Sequence, residues 1–593
     1  MAARSAQLLT RTCIIGCLLG VTGTVYLLAG LAGLVHSPLL NLAVAAVLVV
    51  ALLFFLWNFV VAFTQTHWVG RGIWLTIFAI LLVECVLGFL PPTSRDELTH
   101  HLAIPKLYAD AGRIVEVAVA PYAYYPMLVD MLYTPWIYWG YDFVPKWIHA
   151  LYGALTGLLI YAYLGWRMSG LYGLLGAWLF LSTPVILRLS HWGYIDLGLT
   201  FYTTAALLLI LRWRENRDAL SALALAGLSL GFALATKPNG LVAALIIVML
   251  FAWMLAKPPR KTLIASMQET ALFGTLTLLP FLPWLLKNWW QTGNPFYPFF
   301  PGWFRAKATA VLDAASFPGI GIFDKRELLY GENIWQIGAL PLRLFFFGQD
   351  DNPQYFDGVL TPLLIVLLPW VFTGKWLEDK KILAAFALLS LFYAVFLVDL
   401  RVRYVLSIVP PLAILAVYGV FNIYARIKRP AILFAVLSMF ALWHGAFLRK
   451  YVAAAAPWPY LTGAESRDGY LSRMLPEYPT FLYINRETPL NAKIYLLFIG
   501  RRAYYCQRNY FHDGGELPGF LLGAIRNAKD SAQLEQSLRG KQITHLMVRE
   551  NLLTDFLNNN LSADQVRLWN EFAANRLRLN FRERGHAVYQ LNG

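Results

Sequence analysis

Two carboxylates stand side by side in Ser94-Arg95-Asp96-Glu97-Leu98-Thr99-His100-His101, directly after an apolar run of bilayer-spanning length. A third, Asp196, lies near the start of another apolar run, in Tyr194-Ile195-Asp196-Leu197-Gly198. A carboxylate this close to hydrocarbon is costly and belongs in a cavity, which makes each a functional candidate. Each also has a plain structural reading. Asp96 can pair with Arg95 or cap a surface helix, and Asp196 can serve as an N-cap. The cations that accompany them point to anion binding. Arg401-Val402-Arg403-Tyr404 follows Asp399 at a helix end and precedes Pro410-Pro411. A guanidinium at that depth suits bidentate binding of a phosphate.

Lys237 sits in Thr236-Lys237-Pro238-Asn239-Gly240, between two apolar runs, where broken backbone is tolerated only if it lines a cavity. Lys287 and Tyr297 are further candidates, in a segment that runs from Lys287-Asn288-Trp289-Trp290 into Thr292-Gly293-Asn294-Pro295-Phe296-Tyr297-Pro298. Most of that segment also reads as an aromatic anchor at the membrane interface. Other cations on the same side are Arg188, Arg449 and Lys450, the last two suited to snorkelling toward headgroups. His100 and His101 are adjacent, so on a helix they diverge; a metal site would need one of them to join Glu97. Asp350-Asp351 invites a metal reading too, against the plainer one of a solvated turn. No phosphate-binding Walker loop or Gly-x-Gly-x-x-Gly turn is present, so nothing signals a nucleotide-driven pump.

These residues must be held by membrane helices. The 593 residues are 58% hydrophobic and only 14% charged, with a mean hydropathy of +0.53. Soluble chains carry about 25% charged residues, so soluble enzymes, disordered scaffolds and disulfide-stapled modules are excluded. The four cysteines form no framework, and no structural disulfide is expected. Apolar runs fall at about 12–35, 39–64, 72–91, 147–166, 169–188, 193–212, 218–236, 239–256, 266–288, 357–374, 382–399, 405–424 and 430–448. They predict a polytopic α-helical membrane protein with about thirteen transmembrane helices, the first of them a retained helix. The net charge of +15 is explained by Lys and Arg in alternate short loops, such as Arg212, Arg214 and Arg217, which mark the cytoplasmic side. Segments 92–146, 289–356 and everything past 450 then lie outside. Segment 92–146 reads as amphipathic helices on the outer membrane face, and 289–356 as a loop covering a cavity. Past residue 457 the composition changes. Runs at Thr480–Ile484, Ile494–Ile499 and Ile543–Val548 read as strands, with helical patterns around 516–539 and 562–576. The expected domains are a membrane domain, 1–456, and an extracytoplasmic C-terminal α/β domain, 457–593.

In order and placement, Asp96-Glu97, Asp196, Thr236–Gly240, Asn288 with Thr292–Pro298, and Arg403-Tyr404 before Pro410-Pro411 resemble the GT-C superfamily of integral-membrane glycosyltransferases. The likeness is to the bacterial branch near protein O-mannosyltransferases and lipid A aminoarabinose transferases. One departure is clear: the acidic loop follows the third apolar run rather than the first, implying two extra helices. The resemblance implies transfer of a sugar, with inversion, from a polyprenyl-phosphate donor to an acceptor hydroxyl of a lipid, glycan or protein. In that scheme Asp96 is the general base, Glu97 a second acid/base candidate, and Asp196 orients the acceptor or a cation. Lys237, Arg401 and Arg403, with Lys287, hold the donor phosphate. His100, His101, Tyr297 and Tyr404 contact substrate. A divalent metal, Mg or Mn, is used by some members and not by others. The expected location is a bacterial inner membrane, with the site and C-terminus on the periplasmic side. The competing readings are a transporter or flippase, a lipid-linked glycan polymerase or ligase, and a silent assembly scaffold.

Overall fold

The computed structural model describes residues 2–117, 120–257, 261–300, 302–304, 322–375, 377–397, 400–427, 429–513 and 518–592. Asp399 lies outside them. The chain opens with three long helices, α1 (Ala2–Leu31), α2 (Pro38–Thr64) and α3 (Trp68–Gly88). A loop region follows, carrying two short helices, α4 (Ala103–Ala111) and α5 (Leu128–Tyr138). The bundle continues with α6 (Val144–Arg167), α7 (Gly170–Leu181), α8 (Pro184–Ser190) and α9 (Asp196–Glu215). Next come α10 (Leu220–Thr236), α11 (Gly240–Leu255), α12 (Leu263–Leu278) and α13 (Leu282–Thr292). Helices Glu378–Leu397, Val409–Arg426 and Pro430–Ala455 complete it.

Among the described residues, six helices are long and apolar enough to cross a bilayer, or eight if each bent pair is one span. That is fewer than the thirteen runs of the sequence, for local reasons. The bent pairs α7–α8 (71°) and α12–α13 (50°) break beside Pro184 and Pro280, where proline withholds its N–H from the helical ladder. α10 and α11 have only 17 and 16 residues. The run expected at 357–374 is not a continuous helix but two single turns, Leu363–Val366 and Leu368–Val371, beside Pro362 and Pro369.

Burial separates core from periphery. The apolar window of α6 is 89% buried, against 28% for α2 and 17% for α3. α1 belongs to the core. Gly16 and Gly20 meet the rings of Phe201 on α9 and Phe232 on α10 so closely that a Cβ would overlap them. Small residues of this kind let membrane helices approach backbone to ring. α2 and α3 are thus peripheral to the bundle.

The region past 457 holds a five-stranded mixed sheet, β1 (Lys493–Leu497), β2 (Asn509–Phe511), β3 (His545–Arg549), β4 (Leu577–Glu583) and β5 (His586–Leu591), in the order β2-β1-β3-β5-β4. β1 is parallel to both β2 and β3, while β5 runs antiparallel to β3 and β4. Thr480–Ile484, expected as a strand, lies inside a helix, Tyr478–Glu487. Its aromatic and β-branched composition suggests a strand, but Phe481 and Ile484 are buried at helical spacing, three residues apart. The β4–β5 hairpin was not expected; it turns at Arg584-Gly585, both with positive φ.

This sheet domain is fastened to the loop after α3. Lys106 donates to the carbonyls of Tyr504 (2.9 Å) and Cys506 (3.0 Å). The Tyr504 amide donates to Leu98 O at 3.2 Å, and Tyr505 Oη to Pro92 O at 2.7 Å. Asp350-Asp351 forms a turn, as expected, with the Asp351 side chain exposed; with Asp357 the pair meets the Arg188 guanidinium, and Asp350 also accepts from Lys450 at 2.8 Å.

Candidate active site

The acidic loop begins where Pro91-Pro92 ends the helical path of α3, and it re-enters helix through a π-helical turn, Glu97–His101. Such turns widen the backbone and gather at functional sites. Glu97 holds this loop in place. Fully buried, it accepts the amides of Ser94 (2.9 Å) and Thr93 (3.2 Å) on one oxygen and that of Gly193 (2.5 Å) on the other. It does not line the cavity described below, so the acid/base role expected of it gives way to tying the acidic loop to the segment that starts α9. Removing the carboxylate strands two buried donors, the amides of Ser94 and Gly193, each worth about 1–3 kcal/mol, and the part-buried amide of Thr93. Glu97→Ala is therefore expected to lower Tm by several degrees, whereas Glu97→Gln keeps part of the bonding; a Tm equal to wild type in both would sink this assignment.

Asp96, released by that arrangement, pairs with the Arg403 guanidinium, and its backbone N–H donates to Tyr194 Oη at 3.2 Å. Burial alone would raise its pKa. The Arg403 charge outweighs burial and holds the carboxyl well below the usual carboxylate range, so Asp96 is ionised at neutral pH. Arg403 itself projects from a tight 3₁₀ segment, Val402–Ile408, that leads into the helix Val409–Arg426. The amide of Val402 donates to Phe356 O at 2.8 Å, which anchors the segment. Arg401 lies 3.7 Å from Asp357.

A second ion pair stands beside the first. Asp196, in the first turn of α9, accepts from Lys237 Nζ at 2.6 Å. Lys237 ends α10, and the Tyr404 ring lies under both Lys237 (5.5 Å) and Arg403 (5.3 Å). His101 Nδ1 is 2.9 Å from Asp130, while His100 stacks on Tyr122 with ring centroids 4.5 Å apart.

Asp96, Lys237, Arg401, Arg403, His100, His101, Tyr297 and Tyr404 all line one cavity of about 1120 Å³. Asp196 lies behind Lys237, 2% exposed. Lys287 is not part of the lining. It is buried and donates to Ala123 O at 2.6 Å, and its neighbour Asn288 donates to Tyr124 O at 2.8 Å. Both residues hold the Pro121–Tyr124 turn against α13; of the two, Asn288 also lines the cavity.

The sequence reading missed Asp130, although its signal matched that of Asp196: a lone carboxylate in Met127-Leu128-Val129-Asp130-Met131-Leu132. It also missed the aromatics Tyr122 and Tyr125, and the loops at the carboxyl ends of β1 and β2. Those loops bring Phe498, Arg501, His512 and Asp513 to the cavity, at the edge where open α/β sheets place ligands. For a Mg or Mn ion the fit is poor. Among the described residues no three His, Cys, Asp or Glu side chains are grouped to hold a metal; Asp96, Asp196 and Asp130 are paired with Arg403, Lys237 and His101, and Asp513 accepts from Tyr495 Oη and the Phe520 amide.

Burial holds His512 at about 4, below the ordinary histidine value, and the same cause sets His101 at about 4. Both must stay neutral for the fold, and the unfolded chain titrates near pH 6.5. Their contribution to stability is therefore complete above about pH 6.5 and is lost as pH falls toward 4. Tm is expected to be level above pH 6.5 and to decline from there to pH 5, less steeply in His512→Asn. A Tm independent of pH over that interval would refute it.

Residues 119–294 match the family model for dolichyl-phosphate-mannose-protein mannosyltransferase, a stretch that holds Asp130, Asp196, Lys237 and Lys287 but neither Asp96 nor Arg403. The apo structure of ArnT from Cupriavidus metallidurans is 14% identical, covers 88% of this chain and 98% of its own, and superposes with a TM-score of 0.54. ArnT bound to undecaprenyl phosphate gives 15%, the same coverage and 0.50. The Archaeoglobus fulgidus oligosaccharyltransferase in complex with Zn and sulfate gives 13%, with 87% of this chain, 73% of that one and 0.50. No curated protein matches the sequence. At these identities the structural likeness is one of fold. It is an ArnT-like membrane fold, and the resemblance to GT-C glycosyltransferases read from the sequence holds.

Proposed function

We propose that this integral membrane protein is a glycosyltransferase that moves a sugar from a polyprenyl-phosphate carrier to an acceptor hydroxyl, with inversion. The observation that carries this reading is one cavity lined by a carboxylate, Asp96, ion-paired to Arg403, and by two further cations suited to a phosphate, Arg401 and Lys237. The family match and the undecaprenyl phosphate of the ArnT relative support the same donor class.

The cavity also suits a lipid carrier. Leu234, Leu241, Val242, Phe281 and Leu285, from α10 to α13, form an apolar side, and Leu241 is 53% exposed on the bundle surface. A polyprenyl chain entering between these helices would bring its phosphate to Lys237, at the break between α10 and α11. The leaving group is a phosphate already anionic at neutral pH, so it requires charge stabilisation rather than protonation, and the Lys237, Arg401 and Arg403 set supplies it. Asp96 accepts a hydrogen bond from the acceptor hydroxyl and aims its oxygen at the anomeric carbon. The aromatic lining, Tyr122, Tyr125, Tyr297 and Tyr404, offers ring faces to sugars. The C-terminal sheet closes the cavity from the other side and is placed to contact the acceptor, whether lipid, glycan or protein. We assign the site to the periplasmic face of a bacterial inner membrane, in line with the Lys and Arg distribution of the short loops.

The test is reconstitution in liposomes with the polyprenyl-phosphate sugar pool extracted from bacterial membranes. Release of free polyprenyl phosphate, dependent on the protein, is the expected result. Movement of intact donor across the bilayer without release would favour a flippase instead.

A further inference from the structure

We infer that Arg501, on the loop after β1, binds an oxyanion of the acceptor, a phosphate or a carboxylate close to the hydroxyl that receives the sugar. The inference rests on the transferase reading above and names the acceptor class which that reading leaves open.

The charges around the cavity single this residue out. Five Lys and Arg side chains of the described residues line it: Arg95, Lys237, Arg401, Arg403 and Arg501. Lys237, Arg401 and Arg403 each face a carboxylate, Asp196, Asp357 and Asp96 respectively. The Arg95 and Arg501 side chains meet no carboxylate and make no hydrogen bond among the described residues. Arg95 is exposed, whereas Arg501 is half-buried. Asp513, the carboxylate on the neighbouring β2 loop, is taken up by Tyr495 Oη at 2.5 Å and the Phe520 amide at 2.7 Å. His512 beside Arg501 is neutral at pH 7, through burial first and then through the Arg501 charge. A half-buried guanidinium without a counter-ion, in a cavity whose other cations are balanced or exposed, is a place for an incoming oxyanion.

The backbone is built to present it. The chain leaves β1 toward β2 and leaves β3 toward β4, on opposite sides, so the strand order reverses between β1 and β3. The carboxyl ends of strands at such a reversal are where open α/β sheets bind ligands. Phe498, Gly500 and Arg501 there all have left-handed backbone, with φ of 59°, 65° and 59°. Residues other than glycine take that conformation at a cost, and it is retained where a loop must hold a ligand. Just downstream the chain is tied to the acidic loop, the Tyr504 amide donating to Leu98 O and Tyr505 Oη to Pro92 O. Arg501 is therefore close in sequence to a bond whose other end lies just past Asp96. An acceptor held by its anion at Arg501 and by its hydroxyl at Asp96 bridges the two loops. The donor phosphate keeps Lys237, Arg401 and Arg403 to itself.

The test uses the full-length protein in phosphatidylcholine vesicles with the extracted polyprenyl-phosphate sugar pool, reading release of polyprenyl phosphate. Two sets of hydroxyl acceptors are compared. Glycerol 3-phosphate and glycerate against glycerol probe a soluble anion, and phosphatidylglycerol against diacylglycerol probes a lipid headgroup. Wild type is expected to show a higher kcat/KM for a charged member of one set than for its neutral counterpart, and that set identifies the source of the anion. Arg501→Gln should cut this charged-to-neutral ratio by about 10–100-fold, the scale of a hydrogen bond to a charged group. Arg501→Lys should keep part of the ratio, and Arg501→Glu should invert it, which loss of a merely structural side chain would not do. Retention of undecaprenyl phosphate in native mass spectrometry should match wild type in Arg501→Gln. Indifference of wild type to acceptor charge in both sets, an unchanged ratio in Arg501→Gln, or loss of undecaprenyl phosphate from that variant overturns the inference and leaves the transferase standing. No release by wild type with any acceptor overturns both.

Discussion

Asp96→Asn is expected to reduce sugar transfer by about 10²–10³-fold while leaving the donor bound. Asparagine keeps the size of the side chain and removes its charge, so the acceptor hydroxyl loses the ionised acceptor that aims it at the anomeric carbon. Donor affinity should hold or rise. Arg403 is paired with Asp96 in the resting protein, and the substitution frees its guanidinium for the phosphate. This asymmetry separates the assignment from a structural one. Breaking a buried ion pair from one side can destabilise a protein, and a misfolded variant would lose donor binding and rate together. The measurements are kcat for polyprenyl phosphate release and retention of undecaprenyl phosphate in native mass spectrometry. An unchanged kcat, or equal losses of rate and binding, would refute the role.

The second large effect belongs to the phosphate. Lys237→Ala is expected to weaken undecaprenyl phosphate binding by about 10²-fold, the scale on which a desolvated, hydrogen-bonded charge acts. Two consequences combine. The ammonium that would meet the phosphate is gone, and Asp196 is left as a buried, unpaired carboxylate repelling it. The double variant Lys237→Ala/Asp196→Asn distinguishes them. Neutralising Asp196 should recover stability and part of the binding, yet not the full affinity of wild type. Full recovery would mean that Lys237 serves only to neutralise Asp196, and the donor-phosphate assignment would pass to Arg401 and Arg403 alone.

The remaining expected contacts divide along a physical line. Lys287 and Glu97 were candidates because a charge near apolar sequence is unusual, and the structure shows why each is kept: both bind backbone groups that a folded loop would otherwise strand. Lys287 donates to the carbonyl of Ala123, and Glu97 accepts three amides. A charge buried to satisfy backbone and a charge held for a substrate look the same in sequence, since both break the apolar pattern. They differ only in what their polar atoms meet.

What the amino-acid sequence determined by itself is local. Runs of apolar residues specify helices wherever they are long, and proline marks where such runs break. The β-rich stretches at Ile494–Ile499 and Ile543–Val548 became the central strands β1 and β3. Unusual charges near the ends of apolar runs named Asp96, Asp196, Lys237 and Arg403. Tertiary structure decided the partners. Asp96 and Arg403 are 307 positions apart, Lys237 and Asp196 are 41, and Asp130 and His101 are 29. Helical and strand periodicity reaches only a few residues, so it carries no record of which buried charge will meet which. That is settled by tertiary packing, which brings the acidic loop, the starts of α5 and α9, the end of α10 and the 402–408 segment together, where pairing offsets the cost of burying each charge.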